Sequence, residues 1–541
     1  MQGAVSKRTV LPLFVLCLLY LGVNALISFY RWFPEYEWRF IVIPSIEGMC
    51  VFALSLSAGF FRKPLRVTLL FLTACVCGTL VWFGFGEGVS MQAYGMHFDI
   101  RKDLAFLPDF LIMIFHSETA GKLSVIITGA VILCSLGAGV FYALFALTAS
   151  RAARLGKRVL FLMAGLCVFL PFTEPEGSLP VRLYATLLEN SEHSIEQEEP
   201  EILYTEYVTE NTVSYAFPFL KDRDVFLFIF ESYGETLLSK EDHFSRMEPA
   251  FYETENILSE AGFSCFSRLI ESPITGGKSW LADATLLTGI RVDSQGLFDA
   301  LLNTGFYNMT HIFSDADYRT IMSAPGTSKA GNAWKSFYRF TEYYFHDDFG
   351  YKGPYFCFGS MPDQYQLNWL RKGPLAENTG PLFLMSILVS SHTPFNYVPQ
   401  YIDDWDTLGD GSEFRETKNL IFENRWLSGK EYPEGYTASV AYVLRVLRDF
   451  MRNEIDVSSL VIIVGDHQPR FPIRERGASS SVIMHIFSQD RDLVFPFSFY
   501  GFNEGIIPER TNDPMKMESF LPCLIEIISG KWIERKHVTG M

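Results

Sequence analysis

The sequence predicts an α-helical membrane domain followed by an α/β domain on a central, mostly parallel sheet. Long apolar segments crowd the first 172 residues, short apolar runs alternate with helical patterns from about residue 224, and three of those runs end in side chains suited to metal binding or proton transfer. The 541 residues exceed one domain, and a composition 49% hydrophobic and 15% aromatic leans toward a membrane protein.

Five segments are apolar enough to span a bilayer: residues 10–29, 40–60, 66–86, 122–149 and 158–172. The first is read as an uncleaved span, because no small-residue cleavage site follows it and further spans do. Lys7 and Arg8, then Arg62, Lys63 and Arg66, then Arg151, Arg154, Lys157 and Arg158 fall on one side. The opposite loops hold Arg31, Arg39, Arg101, Lys102 and Lys122 among acids. The positive-inside rule then puts the N-terminus in the cytoplasm and everything after residue 172 outside, which in a bacterium is the periplasm or outer face of the inner membrane. Glu47, two turns into the second span, is read as a carboxylate reaching water at the interface. Residues 104–115 are apolar but too short to span, and suit an interfacial or packing element.

Charge divides the chain. The first 172 residues carry 14 basic and 8 acidic side chains, the remainder 31 and 53. So acidic an outer part argues against a nucleic-acid partner. Six of the nine cysteines lie in apolar segments, and Cys265, Cys357 and Cys523 allow at most one disulfide. Oligomeric state is not written in the sequence.

Residues 173–222, rich in Glu and Pro, read as a connector, with one helix near 181–189. Residues 223–541 form one large outer domain, with strands expected at 225–230, 310–314, 383–389, 460–464 and 482–487 and helices at 246–262, 282–289 and 436–452. In an open α/β sheet, ligands collect beyond the carboxyl ends of the strands. The run 224–230 (DVFLFIF) delivers Glu231, and 381–391 (PLFLMSILVSS) delivers His392. The run 460–464 stops at Gly465 and delivers Asp466 and His467, a hard oxygen beside an imidazole nitrogen. Between them, 271–289 (ESPITGGKSWLADATLLTG) turns at Gly276 and Gly277 and begins a helix near Ser279. Backbone N–H groups and the positive dipole end favour an anion or a developing alkoxide there, and Lys278 adds charge. Ser272 stands where a nucleotide-binding P-loop has its first glycine, so that reading fails.

Four motifs occur in order: FIFESYG (228–234), GGKSWLA (276–282), SSHTPF (390–395) and GDHQP (465–469). Together they resemble the membrane-anchored sulfatase-like transferases of the alkaline phosphatase superfamily, which include lipoteichoic acid synthase and the phosphoethanolamine and phosphoglycerol transferases. The resemblance covers residues 224–510 and implies a sulfatase-like α/β domain. It implies that Glu231, Ser279, Asp466 and His467 hold one divalent metal, Mn²⁺ or Mg²⁺, with Zn²⁺ an alternative. It makes Ser279 the nucleophile and His392 the histidine that meets the phosphoryl group. His485 is matched to a further catalytic histidine. Lys278 and Arg470 are candidates for substrate contact, with Arg474 and Arg476 nearby. The donor-binding Trp and Arg of lipoteichoic acid synthase have no counterpart around 349–365 (FGYKGPYFCFGSMPDQY), which leaves the headgroup open.

The implied reaction begins with Ser279, activated by the metal, attacking a phospholipid donor and releasing diacylglycerol. A glycan or glycolipid acceptor then displaces the phospho-serine, with a histidine moving the proton. The rivals are a phosphodiesterase on the same scaffold and a catalytically silent, lipid-sensing relative. A sulfatase needs C/S-x-P-x-R, and Trp280, Leu281, Ala282 and Asp283 follow Ser279, so neither Pro nor Arg is in place.

Overall fold

In the computed structural model, the described residues are 18–32, 45–58, 61–94, 98, 141–147, 220 and 223–530, the last range with short gaps at 328–331, 357–360, 416–418, 426–427, 430, 471, 476–477 and 511–512. The chain divides into two compact units, Met1–Gln197 and Glu198–Met541.

In the first unit, helices Ile46–Ser57 and Lys63–Tyr94 fall within or over the second and third expected spans. Among the described residues, one helix, Lys63–Gly88, is long and apolar enough to cross a membrane. The first and fourth expected spans lie partly outside the described residues, and the fifth lies wholly outside. So do residues 104–115 and nearly all of the connector. Val23, Ile27, Val51, Leu70, Cys77 and Phe83 pack a shared core, whereas Phe71, Leu72, Trp82 and Phe85 project outward. Glu47 does not reach water: it is 3% exposed and accepts a hydrogen bond from the Tyr30 hydroxyl at 3.4 Å.

In the second unit, nine strands form one sheet: β1 (Val225–Phe230), β2 (Ser264–Glu271), β3 (Arg319–Ala324), β4 (Glu342–Phe345), β5 (Leu382–Leu388), β6 (Leu460–Gly465), β7 (Ser481–Ser488), β8 (Asn503–Glu504) and β9 (Met515–Lys516). Their order is β8-β2-β7-β6-β1-β5-β3-β4, with β9 also on β2. From β6 to β4 every neighbour is parallel, but β7 runs antiparallel to β6, as do β2 to β7 and β8 to β2. The sheet is therefore mixed. Central β1 (VFLFIF) is buried throughout, as a strand covered on both faces must be. Phe226 and Phe228 pack edge-on against Phe450, at centroid distances of 6.5 and 6.0 Å.

Helices α1 (Glu241–Glu260) and α4 (Tyr432–Glu454) cover that face, and Met247, Phe251, Leu258, Val443 and Leu447 join its core. Two further helices matter to the site, α2 (Ser279–Thr288) and α3 (Asp363–Lys372). The strand expected at 310–314 is instead part of a helix, Met309–Asp315. Asn308 and His311 form a reciprocal cap at its start, and this local polar chemistry overrides a short apolar run.

Candidate metal centre and nucleophile

The register sets β1, β5 and β6 flush at their carboxyl ends, since Phe230 lies opposite both Leu388 and Gly465. Glu231 and Asp466 therefore leave the sheet side by side. Gly465 is required there, because a Cβ would overlap the Tyr233 carbonyl oxygen. Ser232 turns the chain at φ 59°, a left-handed conformation that costs a non-glycine residue roughly 1–2 kcal/mol. Three bonds hold it: its amide donates to Asp466 Oδ1 at 2.8 Å, its hydroxyl to Glu231 Oε1 at 2.9 Å, and its carbonyl accepts from Tyr436 Oη at 2.8 Å. Two more serines brace the backbone: Ser391 Oγ donates to the Glu231 carbonyl and Ser272 Oγ to that of Asp466, both at 2.6 Å.

The loop before α2 docks on the same frame. Thr275 bridges to Gln468, and the Gly276 amide donates to the Gln468 carbonyl at 3.0 Å. Lys278 adopts φ 63°, so the chain enters α2 sharply with Ser279 as its first residue. Strained non-glycine residues thus border the site at Ser232, Lys278 and Phe395, the pattern expected where structure is held for function.

These supports converge on the His467 imidazole. Its Nδ1 faces the Gln468 carbonyl at 2.9 Å, an acceptor only, so Nδ1 carries the proton and Nε2 presents its lone pair. Around Nε2 stand Ser279 Oγ at 3.3 Å, Glu231 Oε1 at 3.4 Å and Asp466 Oδ2 at 3.5 Å. Ser279 Oγ is also 3.4 Å from Glu231 Oε2. Ligand atoms of Glu231, Asp466 and His467 all lie within 4.8 Å of one another.

The electrostatics are unfavourable as they stand. Burial, then Glu231, pushes Asp466 up to about 7. Burial lowers the His467 pKa, but Asp466 and Glu231 more than offset it, and the net shift is upward. Asp466 Oδ2 is buried with no hydrogen-bond partner. Two crowded carboxylates, an orphaned oxygen and a directed imidazole lone pair fit a divalent cation.

His392 follows β5 and precedes a cis Thr393–Pro394 bond, and its Nδ1 donates to the Thr393 carbonyl at 2.7 Å. Burial chiefly, with some help from His467 and Arg470, lowers its pKa to about 4, so the ring is neutral. Lys278 is 9% exposed. Arg470 is buried and donates to Tyr432 Oη at 2.9 Å. Arg474 is described, and Arg476 lies outside the described residues.

The structure places His485 apart from these groups. It sits inside β7 at zero exposure, with Nε2 on Tyr233 Oη at 2.9 Å and Nδ1 on Ser267 Oγ at 2.7 Å. Because β7 is antiparallel, its site end is Ser481, and His485 lies deep in the sheet with both ring nitrogens engaged. Cys265 and Cys523 are free thiols, and Cys357 lies outside the described residues.

Three residues of the frame escaped sequence reading. The role of Ser232 depends on its φ, which no pattern reports. Asp283, four positions after Ser279 and so on the same face of α2, is 6% exposed with an unpartnered Oδ1. Burial first, then Asp466 and Glu231, raises its pKa far above the carboxylate range. An acid in an otherwise apolar helix was its available signal. Asp363 accepts the Val389 and Ser390 amides at 2.8 and 3.2 Å and so holds the exit of β5. Burial pushes it up to about 7.

No family model matches the sequence, and no curated protein matches it. Solved structures do. The chain is similar to members of the alkaline phosphatase superfamily. A member of that superfamily from Vibrio parahaemolyticus is 16% identical, with 57% of this chain and 67% of that one covered and a TM-score of 0.36. The lipoteichoic acid synthase LtaP from Listeria monocytogenes is 16% identical over 60% and 78% of the two chains, at a TM-score of 0.36. The Streptococcus pyogenes phosphoglycerol transferase GacH, in complex with sn-glycerol-1-phosphate, is 14% identical over 57% and 75%, at 0.37.

Proposed function

We propose that this protein transfers a phospholipid headgroup, phosphoglycerol or phosphoethanolamine, to an extracytoplasmic glycan or glycolipid through a phospho-Ser279 intermediate. The observation that carries this reading is the placing of Ser279 Oγ 3.3–3.4 Å from both His467 and Glu231 at the start of α2. A lone hydroxyl is a poor nucleophile at neutral pH and needs such a setting.

Glu231, Asp466, His467 and Ser279 would hold a divalent cation, which offsets phosphoryl charge and favours the alkoxide of Ser279. Ser279 Oγ attacks phosphorus, its O–P bond forms, and the bond to the diacylglycerol oxygen breaks, with a proton going to that oxygen. In the second half, the acceptor hydroxyl forms its own O–P bond and Ser279 leaves. His392 Nε2 takes the acceptor's proton, because Nδ1–H is committed to Thr393 and the ring is neutral. Lys278 and Arg470 meet the phosphoryl oxygens. Residues 1–172 anchor the chain with the N-terminus cytoplasmic, 173–222 connect, and 223–541 carry the chemistry outside. Anchoring concentrates the lipid beside the site.

The test incubates the purified chain and Mn²⁺ with labelled phosphatidylglycerol and phosphatidylethanolamine. Labelled diacylglycerol from either is expected; none from both lipids defeats the proposal.

A further inference from the structure

The second unit carries an apolar projection beside the His392 loop. Residues 420 and 421 pair as a short ribbon with Tyr397–Val398, Ile421 opposite Tyr397 and Leu420 opposite Val398. Leu420 is 52% exposed and Ile421 77%, the highest value for a large hydrophobic among the described residues. Alternate strand residues point to opposite faces, so two exposed neighbours mean that 420–421 form an edge with both faces in solvent, while Val398 opposite is buried in the core. On the partner strand, Tyr397 is covered by Phe356, whose ring stacks on it at 4.7 Å.

The projection is fastened. Asn419 Nδ2 donates to Tyr397 Oη at 3.1 Å and to the Phe414 carbonyl at 3.0 Å. The Phe422 amide donates to the Asn396 carbonyl at 2.9 Å, and Asn424 Nδ2 to the Phe395 carbonyl at 3.0 Å. The backbone that continues from His392 is thus pinned to a tip that offers aliphatic surface to solvent. Scattered exposed hydrophobics need no explanation, but two adjacent aliphatic side chains, both more than half exposed on a fastened strand, mark a contact surface.

We infer that the Leu420–Ile421 surface enters the interface of a lipid bilayer and sets Ser279 at headgroup depth. The inference rests on the transferase reading and supplies what that reading requires. A nucleophile attacking the phosphorus of a bilayer lipid has to reach the headgroup plane, so part of its rim must touch the membrane. The same chain also holds the helix Lys63–Gly88, long and apolar enough to cross a bilayer, whose Phe71, Leu72, Trp82 and Phe85 project outward. Apolar side chains in that boundary gain the free energy of leaving water.

The full chain, with its nine native cysteines replaced by serine and Ile421→Cys carrying an environment-sensitive fluorophore, is placed in nanodiscs of phosphatidylglycerol and phosphatidylethanolamine. A blue shift, and quenching by lipids spin-labelled near the headgroup, are expected; emission unchanged from detergent-free water overturns the inference. Separately, Leu420→Ser/Ile421→Ser should lower diacylglycerol release from vesicles by about tenfold while sparing cleavage of a water-soluble phosphodiester. Leu420→Phe/Ile421→Phe should retain both. An equal loss on both substrates, or a dimer in solution that the serine pair dissolves, overturns it. If the unmodified chain releases no diacylglycerol while the fluorophore still reports insertion, the transferase reading fails and the membrane contact stands.

Discussion

The nine-stranded sheet has two unlike halves, and a pair of histidines shows what separates them. His467 leaves the carboxyl end of β6, and His485 sits in the adjacent β7, with its backbone opposite Ile463 of β6. Strand direction decides their fates. Parallel β6 points its carboxyl end at the site, so His467, the second residue after its last pair, projects a ring nitrogen among three oxygens. Antiparallel β7 passes that level at Ser481, and by His485 it is inside the sheet, where Tyr233 and Ser267 take both nitrogens. A histidine's chemistry here follows from the direction in which its strand meets the edge.

The largest effect expected falls on the parallel half. Ser279→Ala should lower turnover by about 10⁴-fold and leave folding intact, read from steady-state rates and thermal unfolding. Full activity would remove Ser279 from its role.

The antiparallel half should answer in stability. Burial holds His485 at about 3, below the unfolded value near 6.5, so the folded protein keeps it neutral while the unfolded chain takes up a proton. That contribution is complete above pH 6.5 and is lost as pH falls toward 3. Its upper bound is about 5 kcal/mol. Urea unfolding across that range should show the slope, and His485→Gln should flatten it while leaving the metal requirement unchanged. A collapse of turnover in His485→Gln at equal stability would erase the contrast between the two histidines.

Metal removal comes next. Chelation should lower the unfolding midpoint, and Mn²⁺ at a hundred times its Kd should restore about 2.7 kcal/mol. Asp466→Asn should abolish the restoration, because it alters the orphaned oxygen; restoration by Mn²⁺ in that variant would place the ion elsewhere.

The smallest effect expected is for His392→Gln, a loss of ~10²-fold. It should fall on the second half-reaction, so mass spectrometry should find phospho-Ser279 accumulating.

The parallel half was far more legible in sequence than the antiparallel one. VFLFIF and LVIIVG announce strands buried on both faces, and the residues after them are read directly as site candidates. Ser264–Glu271, with Ser267 and Arg268 among its apolar residues, carries no such run and went unseen, yet it supplies a partner of His485. The SVIMHIFSQD motif was visible, but not its direction, and without direction a buried histidine resembles a catalytic one. Ser232, Asp283 and Asp363 were hidden for another reason: each acts through a left-handed turn, a helical phase or a pair of backbone amides. Such geometry exists only after the chain has closed on itself.

The place of β1 also sets the order of events during synthesis. Asp224 at its start bonds a residue 158 positions later, and Ser232 beyond its end bonds one 234 positions later. Both edges of the uncharged VFLFIF segment are unpaired until residue 388 has left the ribosome, and the β6 edge stays unpaired until residue 465 has. Contacts that distant make folding slow and leave an aggregation-prone strand exposed in the interval. Holding that strand in a soluble state until its last neighbour arrives is therefore a task suited to chaperones.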